Sequence, residues 1–183
     1  MKLVLGLLVC WTATVSHAIA SDGGTYTAAV VEHVPVLSMQ PVSVSEAVQI
    51  MNDNLDVYDN YTKEAAAMGA QIIVFPEDGL YGAYFLTREW ALPYLEPLPP
   101  SDLFPFPFCD NEVAAVSSPI AHRAACMARK YGLYIVLVMG EIVLCGDNAE
   151  AGPYGPYLED TSDSKPCPPD GRFQYNTQVL ALA

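Results

Sequence analysis

The sequence predicts an α/β fold, and three observations carry that expectation. A β-favouring segment, a helix-periodic segment and a short unbroken apolar run follow one another between Thr25 and Phe75. A second helix-periodic segment and a second apolar run follow between Ser118 and Val143. Each helical pattern opens on a capping signal and closes on a glycine, so the pieces alternate as in a sheet with crossover helices.

The first strand is expected over Thr25–Val36, centred on Ala28-Ala29-Val30-Val31, where small and β-branched residues suit a pleated surface. Ser43 with Glu46 three residues later forms a capping-box pattern. Behind it Val44, Ala47, Val48, Met51, Leu55, Tyr58 and Ala65 recur at helical spacing on one stripe. Gly69 supplies the stop, because glycine adopts positive φ without steric cost. Gln71–Phe75 then reads as a strand, and its continuous hydrophobicity predicts burial on both faces. Strand, helix and strand in that order predict a right-handed parallel crossover.

From Pro76 to Pro119 the chain is dense in proline. Thr87–Leu92 is long enough for one helical turn, and Leu98–Pro107 holds too many prolines for regular structure. Ser118-Pro119 is read as an N-cap followed by proline at the first helical position. Ile120, Ala124, Met127, Ala128 and Tyr131 form the second stripe, closed by Gly132. Leu133–Val143 is the next strand, and Phe173–Leu182 is the last. Between them, residues 146–171 make a long Gly/Pro/Asp-rich loop with no internal repeat.

The composition narrows the function. Hydrophobic residues make up 52% and charged residues 16%, which excludes disorder as the main description. Eight Lys and Arg face 21 Asp and Glu, a net charge of −13. With no basic run, phosphate-driven binding of nucleic acid and attachment to an anionic membrane surface are both disfavoured.

Residues 1–20 have the layout of a secretory leader: Lys2, an apolar run over Leu3–Val15, and small residues around Ala18 and Ala20. Residues 21–183 then form the mature domain, with no second apolar stretch of membrane-spanning length. Cleavage after Ala18 removes Cys10 and leaves Cys109, Cys126, Cys145 and Cys167. An even count in an oxidising compartment favours disulfides, and without a C-x-x-C pair a metal site is not expected. Cys109 and Cys126 bracket one loop segment, and Cys145 and Cys167 bracket the long one. Of the three possible connectivities, pairing of neighbours is therefore expected. Asn60-Tyr61-Thr62 is a glycosylation sequon available on the secretory route, unless it lies on a packed helix face.

Two segments carry chemistry. Phe75-Pro76-Glu77-Asp78-Gly79-Leu80-Tyr81-Gly82 follows the expected central strand directly. Open α/β sheets bind ligands at the carboxyl ends of their strands, so Glu77 is placed to face a crevice and act as general base in apolar surroundings. A second reading makes this a turn in which Glu77 or Asp78 caps the next segment. The other segment, Cys167-Pro168-Pro169-Asp170-Gly171-Arg172-Phe173-Gln174-Tyr175-Asn176-Thr177, taken alone is a disulfide-tethered turn entering a strand.

Together, and in this order with the Ala124-Ala125-Cys126-Met127-Ala128-Arg129 helix, they resemble the secreted branch of the nitrilase (carbon–nitrogen hydrolase) superfamily, the pantetheinases (vanins) and biotinidase. The resemblance runs from Thr25 to about Val179. It implies the N-terminal portion of an α-β-β-α nitrilase-type sandwich, incomplete in this chain. It further implies cofactor-free cleavage of small amides by a Glu-Lys-Cys triad whose glutamate matches Glu77. The family's lysine and cysteine fall beyond Ala183, Lys165 lies upstream of the landmark motif, and the four cysteines match structural positions. The implied reaction splits pantetheine into pantothenate and cysteamine, and hydrolysis of biotin amides is the alternative. A third reading is a non-catalytic secreted fragment that binds a full-length relative. The sequence is silent on oligomeric state.

Overall fold

The computed structural model describes residues 14–19, 25–82, 87–99, 106–147, 152–153 and 166–181. They build one mixed sheet of six strands with the two long helices laid against one face. In chain order the elements are β1 (Thr14–Ile19), β2 (Thr25–Val30), α1 (Val44–Ala67), β3 (Ile72–Val74), α2 (Arg88–Ala91), β4 (Leu95–Glu96), α3 (Glu112–Ser117), α4 (Pro119–Tyr131), β5 (Tyr134–Leu144) and β6 (Arg172–Ala181). The sheet order is β1-β2-β3-β5-β4, with β6 on the other edge of β5.

The strands β2, β3 and β5 run parallel, in register Ala28–Ile72–Tyr134 and Val30–Val74–Val136. This is the parallel crossover expected from the first strand, helix and strand. The ladder between β5 and β6 is antiparallel and runs from Ile135 opposite Ala181 to Leu144 opposite Arg172. Because β6 takes one edge of β5 over that length, β3 and β4 lie end to end along the other.

Alternation sorts the two faces of the sheet. Ala29, Ile73, Ile135, Leu137, Met139 and Ala181 form a continuous core with Met51, Leu55 and Tyr58 of α1 and Ile120, Ala124, Met127 and Ala128 of α4. Ile72 and Val74 point the other way and are only half-buried, so the expected burial of this strand on both faces is corrected. Tyr26, Val30, Tyr134 and Leu180 share that second face and are each between 44% and 50% exposed. Among the described residues the two long helices cover one face only, and hydrophobicity alone does not distinguish a covered face from a bare one.

Other boundaries also moved. The first strand ends at Val30 rather than Val36, because His33 and Val36 turn away to bond the segment after β3 and α1. The last strand is Arg172–Ala181, one residue earlier than expected. The single turn at 87–92 is present as α2, with the Thr87 hydroxyl accepting from the Trp90 amide. The elements β4 and α3 were not anticipated; a two-residue strand and a six-residue helix are too short to show a period. Residues 100–105 and most of the 146–171 loop lie outside the described residues.

Residues 14–19, read as part of a leader, pair antiparallel with β2. Cleavage after Ala18 would remove all but one residue of that strand and leave β2 at the sheet edge. No helix among the described residues is long and apolar enough to cross a membrane. Both expected disulfides are present, Cys109–Cys126 with Cα atoms 4.9 Å apart and Cys145–Cys167 with Cα atoms 5.8 Å apart.

The two long helices are capped differently. Ser43 accepts from the Glu46 amide while the Glu46 carboxylate accepts from the Ser43 amide, the complete capping box. Ser118 does not cap α4: its hydroxyl donates to the Pro97 carbonyl at 2.6 Å. The free N–H groups of α4 are instead taken by Glu96 of β4, whose two carboxylate oxygens accept from Ile120 and Ala121 at 2.9 and 3.1 Å. A carboxylate suits a helix N-terminus because unpaired donors and the helix dipole meet there.

Glu96 is only 4% exposed, and burial pushes its carboxyl up to about 7 despite the two helix donors, which favour the charged form. A raised pKa means the folded state holds the proton more tightly than the unfolded chain. The corresponding stability is complete below about pH 4.5 and is lost as pH rises through about 7, on the order of 3 kcal/mol in total. Denaturant unfolding at stepped pH should therefore show wild type losing stability relative to Glu96→Gln across that window. Parallel pH profiles for the two proteins would contradict it.

Candidate functional site

The position of Glu77 follows from where β3 stops. β3 lies between β2 and β5, and its pairing runs one residue further through the Phe75 amide, which donates to the Val136 carbonyl at 2.9 Å. Pro76 has no N–H to continue the ladder, so the chain leaves the sheet there. Glu77 opens a turn at the carboxyl end of this central strand. Asp78 takes a left-handed conformation with φ 59°, which its short polar side chain tolerates. The turn closes where the Gly82 amide donates to the Asp78 carbonyl at 2.7 Å.

Three side chains hold this turn from below. Asn54, fully buried in α1, donates to the Leu80 carbonyl at 2.8 Å. His33 donates from Nε2 to the Gly79 carbonyl at 2.9 Å, which places a proton on that nitrogen. Tyr58 stacks on Phe75 with ring centroids 3.7 Å apart and meets the edge of His33 at 5.3 Å. Its hydroxyl fills the space a side chain at Gly79 would need: a Cβ there would lie 2.1 Å from the Tyr58 oxygen. That hydroxyl is buried without a hydrogen-bond partner among the described residues.

The Glu77 side chain itself is exposed, which corrects the expectation of an apolar crevice. Its Oε1 accepts from Nδ2 of Asn176 on β6 at 2.6 Å. Asn176 lies opposite Gly140 and alternates with Thr177, the partner of the core residue Met139. Its side chain therefore projects from the face opposite the two long helices. Nearby, the Tyr81 hydroxyl reaches Gly140, lying 3.4 Å from where a Cβ there would stand. Burial and then the Asp78 and Glu77 charges push the Tyr81 phenol up. Burial and the Glu77 charge likewise push the Asp78 carboxyl up. The site is a surface carboxylate with acidic and phenolic neighbours.

The second sequence motif arrives at the same corner. Arg88 of α2 holds both Asp170 oxygens at 3.0 to 3.2 Å and donates to the Arg172 carbonyl at 2.7 Å. Gln174 donates to the Arg88 carbonyl at 3.0 Å. The tertiary structure thus joins Glu77 to the Asn176 of the other motif. Cys109, Cys126, Cys145 and Cys167 are committed to disulfides. Asn60 stands exposed on α1, while Thr62 of the same sequon is fully buried and donates to the Tyr58 carbonyl. Lys165 lies outside the described residues. Sequence reasoning passed over Asn54, Tyr58 and Asn176 as site residues. Tyr58 lay on the apolar stripe, Asn176 inside the second motif, and Asn54 beside Leu55 as a carboxamide next to that stripe.

Comparison with known proteins decides the family. The pattern of the carbon–nitrogen hydrolase family matches residues 39–154. The chain belongs to that family. It is 43% identical to the pantetheinase of Mus musculus over 164 residues, which is 88% of this chain and 29% of that protein. With the pantetheinase of Homo sapiens the identity is 40%, over 91% of this chain and 29% of the relative. With the biotinidase of Mus musculus it is 39%, over 85% and 27%. The chain thus spans less than a third of the length of these curated relatives. A solved structure of an N-terminal amidase aligns with a TM-score of 0.38 and 19% identity, over 82% of this chain and 27% of that one. The pantetheinase and biotinidase relatives place this family member in the pantetheinase and biotinidase branch of the nitrilase superfamily.

The packing beneath Glu77 is testable. Gly79→Ala sets its methyl group against the Tyr58 hydroxyl and should cost about 1–3 kcal/mol in denaturant unfolding. Tyr58→Phe removes the nearest obstructing atom and a buried unpaired hydroxyl but leaves Pro76 Cγ 2.9 Å from the added methyl, so the double variant should recover part of that loss. Strict additivity of the two substitutions would refute the contact.

Proposed function

We propose that this chain is the N-terminal part of an amidohydrolase of the pantetheinase/biotinidase type, with Glu77 as the proton acceptor. The observation that carries this reading is a carboxylate at the carboxyl end of the central parallel strand, in a family member whose curated relatives are pantetheinases and biotinidases. In the proposed reaction Glu77 takes the proton of a cysteine thiol, and the thiolate attacks the amide carbonyl. A lysine steadies the oxyanion, the C–N bond breaks, and the amine leaves with the proton held on Glu77. Water, deprotonated by Glu77, then cleaves the thioester and frees the acid and the thiol.

The cysteine and lysine are proposed to come from sequence beyond residue 183. The cysteines of the described residues are all in disulfides, which supports that division of labour. Pantetheine is the preferred substrate, in keeping with a 36% identical relative named pantetheine hydrolase in Homo sapiens. Biotin amides are the rival. Secretion through the 1–20 leader fits two disulfides, which need an oxidising compartment. Glycosylation at Asn60 would have to precede packing of α1, since the Thr62 hydroxyl is sealed in the folded helix.

The chain by itself is expected to cleave neither pantetheine nor biocytin. Joined ahead of the remaining part of mouse pantetheinase, it should restore pantetheine cleavage, and Glu77→Gln should lower that rate about 10²- to 10⁴-fold. Turnover by the chain alone that vanishes in Glu77→Gln would overturn the division of labour. A joined protein that prefers biocytin would exchange the substrate assignment.

A further inference from the structure

We propose that Asn176 is a positioning residue that sets the orientation of the Glu77 carboxylate, a role that rests on Glu77 being the proton acceptor. An ionised carboxylate only accepts, so the 2.6 Å contact fixes the Asn176 side chain with its NH2 group toward Oε1. A donor on a charged acceptor at that distance is a strong, directional bond. It occupies Oε1 and leaves the other oxygen, Oε2, for proton transfer.

The two partners differ in rigidity. Glu77 sits in a turn with an exposed side chain that loses rotamer freedom when held in one orientation. Asn176 sits inside the antiparallel ladder from Ile135–Ala181 to Leu144–Arg172, the longest pairing in the sheet. Groups built on strands are placed more accurately than groups on loops, and here the strand residue disciplines the loop residue. The same face of β6 repeats the device two residues earlier, where Gln174 donates to the Arg88 carbonyl at 3.0 Å. Two alternate carboxamides of one strand thus pin two points of the segment that follows β3. Gly140 opposite Asn176 makes room for the Leu95 side chain, since a Cβ there would lie 2.4 Å from it.

The test begins with the full chain labelled with 15N-asparagine. The Asn176 side-chain amide, identified by its loss in Asn176→Ser, should exchange with solvent about tenfold more slowly than free amides. That protection should disappear in Glu77→Ala and persist in Glu77→Gln, whose carbonyl oxygen still accepts. An amide indifferent to Glu77→Ala overturns the proposal. The second arm uses the whole chain joined ahead of the remaining part of mouse pantetheinase. There Asn176→Ala should lower kcat about tenfold to a hundredfold with KM held within about threefold, and Asn176→Asp, which sets two carboxylates together, should lower it further. An unchanged kcat in Asn176→Ala overturns the positioning role. If Glu77→Gln turns over as fast as the parent, the proton-acceptor reading falls and the positioning role falls with it. A protected amide would then still mark the bond as structural, so the two failures are distinguishable.

Discussion

The carboxamide of Asn54 is the interaction on which the arrangement around Glu77 depends. It is fully buried in the middle of α1, where an unpaired amide would be costly. Its oxygen accepts from the Val36 amide at 2.8 Å, and its NH2 group donates to the carbonyls of Val36, Leu80 and Ile50 at 2.8 to 3.1 Å. The segment leaving β2 and the turn leaving β3 are thereby fastened to one side chain. Neither segment has a strand partner of its own at that point, so Asn54 satisfies backbone groups that a sheet would otherwise satisfy. The left-handed Asp78, the glycine beneath it and the exposed Glu77 all stand on that anchor.

Cations are scarce in this acidic chain, and the structure uses them between elements distant in sequence. Arg123 of α4 reaches Asn52 and pairs with Asp56 on α1. Lys130 and Tyr131 share Asp59, and Arg129 pairs with Asp110 next to the Cys109–Cys126 disulfide. Arg88 and Arg172 converge on Asp170. Exposed pairs of this kind are each worth little. Their placement at the α1–α4 seam, beside the Cys109–Cys126 disulfide and at the foot of β6 aligns surfaces that the apolar core already holds.

The two helix caps show where reading a sequence works. The Ser43 box lies within one turn of chain, so residue types and spacing contain the whole interaction, and it formed as expected. Ser118-Pro119 has an equally good local signature, yet the serine bonds Pro97 and a buried glutamate from another strand caps the helix. The proline did start the helix, because its fixed φ and missing N–H are properties of the residue itself. The apolar stripes, the glycine stops and the neighbour pairing of cysteines were legible for the same reason: each depends on short spacing or on one loop.

What the sequence by itself determined was the alternation of strands and helices, both disulfides, the family, and the place of Glu77 just past a strand end. Those features follow from periodicity, from residue conformational preferences and from contiguous motifs. Only the tertiary structure decided which face of β3 is covered, that Glu96 caps α4, that Asn54 anchors the turn and that Asn176 meets Glu77. Each of these joins residues brought together by sheet register and helix docking, 24 positions apart for Glu96 and Ile120 and 99 for Glu77 and Asn176. A hydrogen bond at that separation leaves no period in the chain, because its geometry exists only after the strands have paired.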